Sequence, residues 1–181
     1  MDFLIFIFKC FYFMLPAYLA NMAPVLTKDH FKELKIPVDF NTKIDHETIF
    51  GRHKTFRGLI FGVIYAIITA FVQYLLYDVE FFRLMSLVDY SDWLLLGFLL
   101  GSGVVLGDLL ESFFKRRLRL KPGKPFIPWD QIDFVIGAMI FVYPIYQLDL
   151  MKIITILIIS FFLHISINHA AYYLKIRRVK W

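Results

Sequence analysis

From Leu59 to Tyr77 the chain carries no charged side chain. A helix of that length covers roughly the 30 Å of a bilayer's hydrocarbon. Four other segments are nearly as apolar: Phe3 to Leu26, interrupted by Lys9 and Pro16; Trp93 to about Phe114, containing Asp108 and Glu111; Phe134 to Leu148; and Ile153 to Leu174. The composition agrees, with 59% hydrophobic and only 19% charged residues and a mean hydropathy of +0.64. Soluble domains carry about 25% charge. Disordered, collagen-like, disulfide-stapled and ordinary cytosolic chains are therefore disfavoured. The single cysteine, Cys10, can form no internal disulfide and has no zinc-type spacing around it. The expected fold is an all-α integral membrane protein, a bundle of about five transmembrane helices with two basic cytoplasmic loops. No internal repeat or Gly/Ser-rich linker divides the chain, so residues 1–181 form a single domain. The N-terminal apolar stretch lacks a basic leader and a small-residue cleavage site, and reads as a first span that is kept.

The charges sort by side of the membrane. Residues 27–58, residues 115–133 and the C-terminal tail together hold seventeen of the twenty Lys and Arg residues. The intervening loop, residues 78–92, has Asp78, Glu80, Asp89 and Asp92 against one Arg83. Basic loops stay cytoplasmic. This predicts a multi-pass cell-membrane protein with its N-terminus outside, its C-terminus inside and both basic loops facing the cytosol. Residues 27–50 show little periodicity and read as a loop with one short helix near Asp29 to Lys35.

Ionisable groups inside a span are costly and point to function. Asp108, Glu111, Ser112, Lys115 and Arg119 recur at helical spacing on one face of the third segment. Gly97 and Gly101 project onto that face as well; Gly103 and Gly107 lie on another, and such pairs let helices approach closely. Glu111 and Lys115 also read simply as a favourable i,i+4 ion pair. Asp130 and Asp133 open the fourth segment, where carboxylates suit the helix dipole. Alternatively, Asp108 and Asp133 meet at the cytoplasmic surface and hold a hard divalent cation through oxygen ligands. The basic residues beside them would then hold phosphate oxygens. This combination suggests nucleotide or phospholipid chemistry and not nucleic-acid binding. A second basic element, Gly51 to Gly58, lacks the Walker A frame and fits either a phosphate-binding role or a positive-inside anchor.

The third-segment motif, Gly107-Asp108-Leu109-Leu110-Glu111-Ser112 with Lys115-Arg116, followed by Lys121 and Asp130-Gln131-Ile132-Asp133, resembles the signature of the CTP-dependent lipid cytidylyltransferases. Lys54-Thr55-Phe56-Arg57-Gly58 is similar to that family's KTxxG element. Within the family, the short archaeal branch, CDP-archaeol synthase (CTP:2,3-di-O-geranylgeranylglyceryl-phosphate cytidylyltransferase), is the better match. Its features resemble Pro16 to Pro24, the DQxDF form at Asp130 to Phe134, His164 with Asn168, and the terminal Lys180-Trp181. Gln131 stands where the bacterial phosphatidate cytidylyltransferases have an arginine.

The resemblance implies cytidylyl transfer from CTP to a lipid phosphate, giving a CDP-lipid and pyrophosphate. It implies Mg²⁺, with room for a second cation, on Asp108 and Asp133, with Asp130 third. Glu111 would complete the site or orient a lysine, and Lys115 would act beside it. Lys54, Lys115, Arg116 and Lys121 would neutralise phosphates. Ser112 and Thr55 would donate hydrogen bonds, and Asn21 belongs with this CTP-binding set. His164 and Asn168 would support the site or pack. The partners implied are CTP, a membrane lipid phosphate and the bilayer. The glycine faces can pack within one chain or between two, so a homo-oligomer stays open. Alternatives are a phosphatidate cytidylyltransferase making CDP-diacylglycerol and a non-enzymatic membrane protein or transporter. The carboxylate helix of a CDP-alcohol phosphotransferase and the PSGH-like element of a lipid phosphatase are not found in the sequence.

Overall fold

The computed structural model describes residues 3–120 and 124–175. The described residues form six α-helices: α1 (Phe3–Leu26), α2 (Phe56–Leu76), the short α3 (Glu80–Met85), α4 (Trp93–Arg117), α5 (Trp129–Tyr146) and α6 (Leu150–Tyr173). A two-stranded antiparallel hairpin, β1 (Lys43–Ile44) and β2 (Glu47–Thr48), lies between α1 and α2. All five apolar segments are helical. Helices α1, α2, α4 and α6 are long and apolar enough to cross a membrane. At 18 residues, α5 is shorter, with Asp130 in its first turn and Asp133 just after it.

Helix α4 is the centre of the bundle, packed most extensively on α5 and then on α2. Its glycines explain this. A β-carbon at Gly97 would lie 2.6 Å from Ile67 Cα, and one at Gly101 2.8 Å from Ala66 Cβ, so that face is pressed against α2. A β-carbon at Gly103 would lie 2.5 Å from the Gly137 carbonyl oxygen, and one at Gly107 would strike the Asp133 carbonyl. On this second side the α4 and α5 backbones touch. In lipid, where hydrocarbon gives helices no reason to associate, such small-residue contact supplies the packing. The core between the helices holds Phe13, Met14, Leu96, Leu100, Val104, Val135 and Val142.

Helix α6 is the exception. Only 11% of the residues in its most apolar stretch are buried, and Leu150, Met151, Ile158 and Phe162 point outward. Asp149 starts it by accepting from Lys152 N at 2.9 Å. Elsewhere along α6, Ser160 is fully buried and its hydroxyl lies 2.7 Å from that of Tyr18 on α1.

The segment between α1 and α2 is more ordered than its sequence suggests. The short helix expected near Asp29 to Lys35 is only a 3₁₀ turn, Lys32–Leu34. Asp45 and His46 both adopt positive φ, the geometry of a two-residue type I′ hairpin turn. Three side chains fasten the segment. The buried Arg57 donates to the carbonyls of Lys28 and His30 at 3.0 and 2.9 Å. Arg117, at the end of α4, donates to those of Ile44, Glu47 and Thr48. Asp39 accepts from Asn41 N and Phe50 N at 2.9 Å and Gly51 N at 3.2 Å. Gly51 makes this possible, because its φ of +95° is one that side chains rarely adopt. Arg119 does not continue the α4 stripe: the helix ends at Arg117 and Arg119 takes a φ of +54°.

Candidate functional site

Because the chain alternates direction, one end of the bundle gathers the C-terminal ends of α1, α4 and α6 and the N-terminal ends of α2 and α5. A cavity of about 710 Å³ opens there, roofed by the hairpin segment. Asn21 enters it from α1, Lys54 from the approach to α2, and Asp108, Glu111, Ser112, Lys115 and Arg116 from α4. Asp130, Gln131 and Asp133 enter from α5, and His164 and Asn168 from α6.

Among the described residues, oxygens of Asp108, Glu111 and Asp133 lie within 4.8 Å of one another. Asp108 and Glu111 are one turn apart on α4, and the glycine contact at Gly107 brings Asp133 to them. Three carboxylates that close repel unless a cation sits among them. The oxygen-only donor set suits Mg²⁺. Lys54 Nζ already lies 2.5 Å from Asp108 Oδ1.

Asp130 is engaged differently. Its Oδ1 lies 2.5 Å from Lys115 Nζ, and its Oδ2 accepts from Phe126 N at 2.9 Å. Lys115 also pairs with Glu111 Oε1 at 2.7 Å, so it bridges α4 and α5. Of the expected ligands, Asp108 and Asp133 converge together with Glu111, which was expected to complete the site or orient a lysine; Asp130 sits beside them on Lys115, the lysine that Glu111 shares. Ser112 is buried, with its hydroxyl 3.5 Å from Glu111 Oε2. Thr55 caps α2, accepting from Gly58 N at 3.4 Å, and is not among the cavity's lining residues. Lys121, Lys180 and Trp181 lie outside the described residues.

The sequence profile of the family described as CarS-like: CDP-archaeol synthase matches residues 3–181. The chain belongs to the CDP-archaeol synthase family. A CDP-archaeol synthase from Thermococcus onnurineus is 40% identical over 94% of this chain and 95% of its own. One from Methanococcus maripaludis (strain C7) is 36% identical over the full length of both. A solved structure described as an intramembrane enzyme for archaeal membrane lipids biosynthesis is similar at a TM-score of 0.72 and 25% identity, over 87% of this chain and 90% of that one. This member of the CDP-archaeol synthase family is thus an enzyme and a multi-pass membrane protein.

Several lining residues of this CDP-archaeol synthase family member escaped the sequence reading. Lys43, His46, Glu47 and Thr48 reach the cavity because the hairpin folds over it, and Lys124 reaches it from the loop before α5. The Lys-Ile-Asp-His-Glu-Thr run carries a turn between two short strands, too brief to register as periodicity. Gln131 was visible only as the residue between two aspartates.

Proposed function

We propose that the chain transfers the cytidylyl group of CTP to 2,3-di-O-geranylgeranylglyceryl phosphate, releasing pyrophosphate and CDP-archaeol. The observation that carries this reading is the convergence of Asp108, Glu111 and Asp133 within 4.8 Å beside Lys54 and Lys115, in a chain of this family. A phosphate oxygen of the lipid attacks the α-phosphorus of CTP, and the bond from that phosphorus to the pyrophosphate oxygen breaks. The lipid phosphate is already ionised near neutral pH, so no general base is needed.

Mg²⁺ held by Asp108, Glu111 and Asp133 would supply charge neutralisation on the phosphates. The chain's own cations do the rest by positioning, which is most of what phosphoryl chemistry requires. Lys54 exchanges Asp108 for a phosphate oxygen. Arg116 neutralises the departing pyrophosphate, with Arg52 and Lys124 also lining the cavity, and Lys121 is assigned the same role from its place in the motif. Lys115 is held between Glu111 and Asp130 with its charge aimed at the site. Ser112 and Asn21 offer hydrogen bonds to the nucleotide, and Thr55 keeps Lys54 in place by starting α2. The seventeen clustered basic residues support a site facing the cytosol, with the N-terminus outside.

The test is pyrophosphate release by the purified protein given CTP, Mg²⁺ and either the isoprenoid ether phosphate or phosphatidate. Release is expected with the ether lipid. Asp108→Asn should lower turnover by at least about a hundredfold while the protein stays folded. Full activity in that variant would remove the assignment, and faster turnover of phosphatidate would remove the ether-lipid reading.

A further inference from the structure

The cavity has two chemically different walls. Lys43, Arg52, Lys54 and Arg116 come from the hairpin segment and the end of α4. The α5–α6 side carries no cation: beside the carboxylates of Asp130 and Asp133 it presents an uncharged patch, Gln131, His164 and Asn168. Gln131 is only 2% exposed, and its Oε1 has no hydrogen-bond partner. An unmet buried amide oxygen costs about 1–3 kcal/mol. Such a group inside a cavity calls for a ligand or solvent to satisfy it. An amide can present either its oxygen or its NH₂ by rotating its end, so it can donate to a phosphate oxygen or accept from a hydroxyl.

Its neighbours follow from the helix register. Helices α5 and α6 run antiparallel from the turn at residues 147–149, and the Phe134 and His164 rings meet with centroids 6.0 Å apart. One turn from Phe134 toward the start of α5 is Gln131. One turn from His164 toward the end of α6 is Asn168, whose Nδ2 lies 3.3 Å from His164 Nε2. The three polar side chains therefore stack on one seam, with the Phe134 ring beneath. That seam is made with α6, the candidate span with the smallest share of buried residues, which leaves its outer face open to lipid chains.

We propose that Gln131, with Asn168 and His164, is the seat of the lipid phosphomonoester. This deepens the cytidylyl-transfer reading above and rests on it. An attacking phosphate oxygen must keep its electron density. Neutral amides hold such a group by directed hydrogen bonds without tying up its charge as an ammonium or guanidinium would. The leaving pyrophosphate gains charge in the transition state, and the cationic wall serves it. The uncharged patch and the cationic wall thus divide the nucleophile from the leaving group.

The experiment is steady-state kinetics on the full-length protein in lipid nanodiscs, varying CTP and the isoprenoid glyceryl phosphate separately, beside CTP-induced thermal shifts. Gln131→Leu should raise KM for the lipid phosphate about tenfold, the loss of a hydrogen bond worth about 1.4 kcal/mol. KM for CTP should stay within about twofold of wild type and the CTP thermal shift should be unchanged. Gln131→Glu should impair the lipid side at least as much, because a second negative charge would face the phosphate. If Gln131→Leu does not fold, Asn168→Ala carries the same expectation. A rise in KM for CTP with the lipid value unmoved would give these residues to the nucleotide and overturn the proposal. So would two unmoved KM values. A wild-type protein that releases no pyrophosphate sinks the function itself, whereas an active wild type with an unmoved lipid KM in Gln131→Leu sinks the seat alone.

Discussion

Lys115 is where single residues matter most. It is the shared counter-ion of Glu111 and Asp130, with its side chain 17% exposed and that of Glu111 only 7%. Lys115→Met would leave two carboxylates facing each other with no cation between them. Loss of a buried partner of this kind costs about 3 kcal/mol, so the variant should unfold at lower temperature in a thermal melt and be inactive. Asp39 offers a test in pH. Burial acts to raise its carboxyl, but the N–H groups of Phe50, Asn41 and Gly51 outweigh that and hold it below the usual carboxylate range. A depressed carboxyl contributes its full stability above the unfolded value of about 3.9. The contribution is lost as pH falls through the lower folded value. An acid-tolerant protease should therefore cut residues 40–50 faster as pH drops below about 4. Asp39→Asn should be cut faster already at neutral pH. The sequence displayed Asp108, Glu111, Lys115 and Asp133 because charge in an apolar run is conspicuous. It did not display that Lys115 would bridge Glu111 and Asp130, since that depends on how α4 and α5 pack. Gln131 carried no charge to draw attention.

Among elements, the α4–α5 pair sets the geometry of the acidic cluster. Gly107 and Gly137 let the two backbones touch, and a β-carbon at Gly137 would collide with the Gly103 carbonyl and the Gly107 backbone. Backbone cannot yield as a side chain can. Gly137→Ala should force the helices apart and cost about 1–3 kcal/mol, as overpacking does. The same displacement carries Asp133 away from Asp108, so kcat should fall more than the thermal midpoint alone accounts for. Activity and unfolding measured on one preparation would check this, and normal turnover would show that the contact is dispensable. Helix positions were legible because runs of about twenty apolar residues have few alternatives in lipid. The paired glycines also announced close packing. The hairpin was not legible, because it is held by Arg117 and Asp39 across long sequence separations and not by its own pattern.

For the whole molecule, the alternation of five helices puts every functional group at one end. Orientation is then a single binary choice. With Cys10 replaced by alanine, a cysteine at His46 should react with an impermeant thiol reagent only after the cells are opened. One at Glu80, before α3, should react in intact cells. The reverse pattern would invert the topology drawn from the basic loops. The expectation for that choice rests on charge alone, whereas the loose seating of α6 was not legible: its apolar run looks like any other until its neighbours are known. With few of its residues buried by protein, α6, which carries His164 and Asn168, leaves its outer face to hydrocarbon chains. The bilayer is thereby the outer neighbour of the helix that closes one side of the chamber. A detergent micelle replaces that neighbour with a different one.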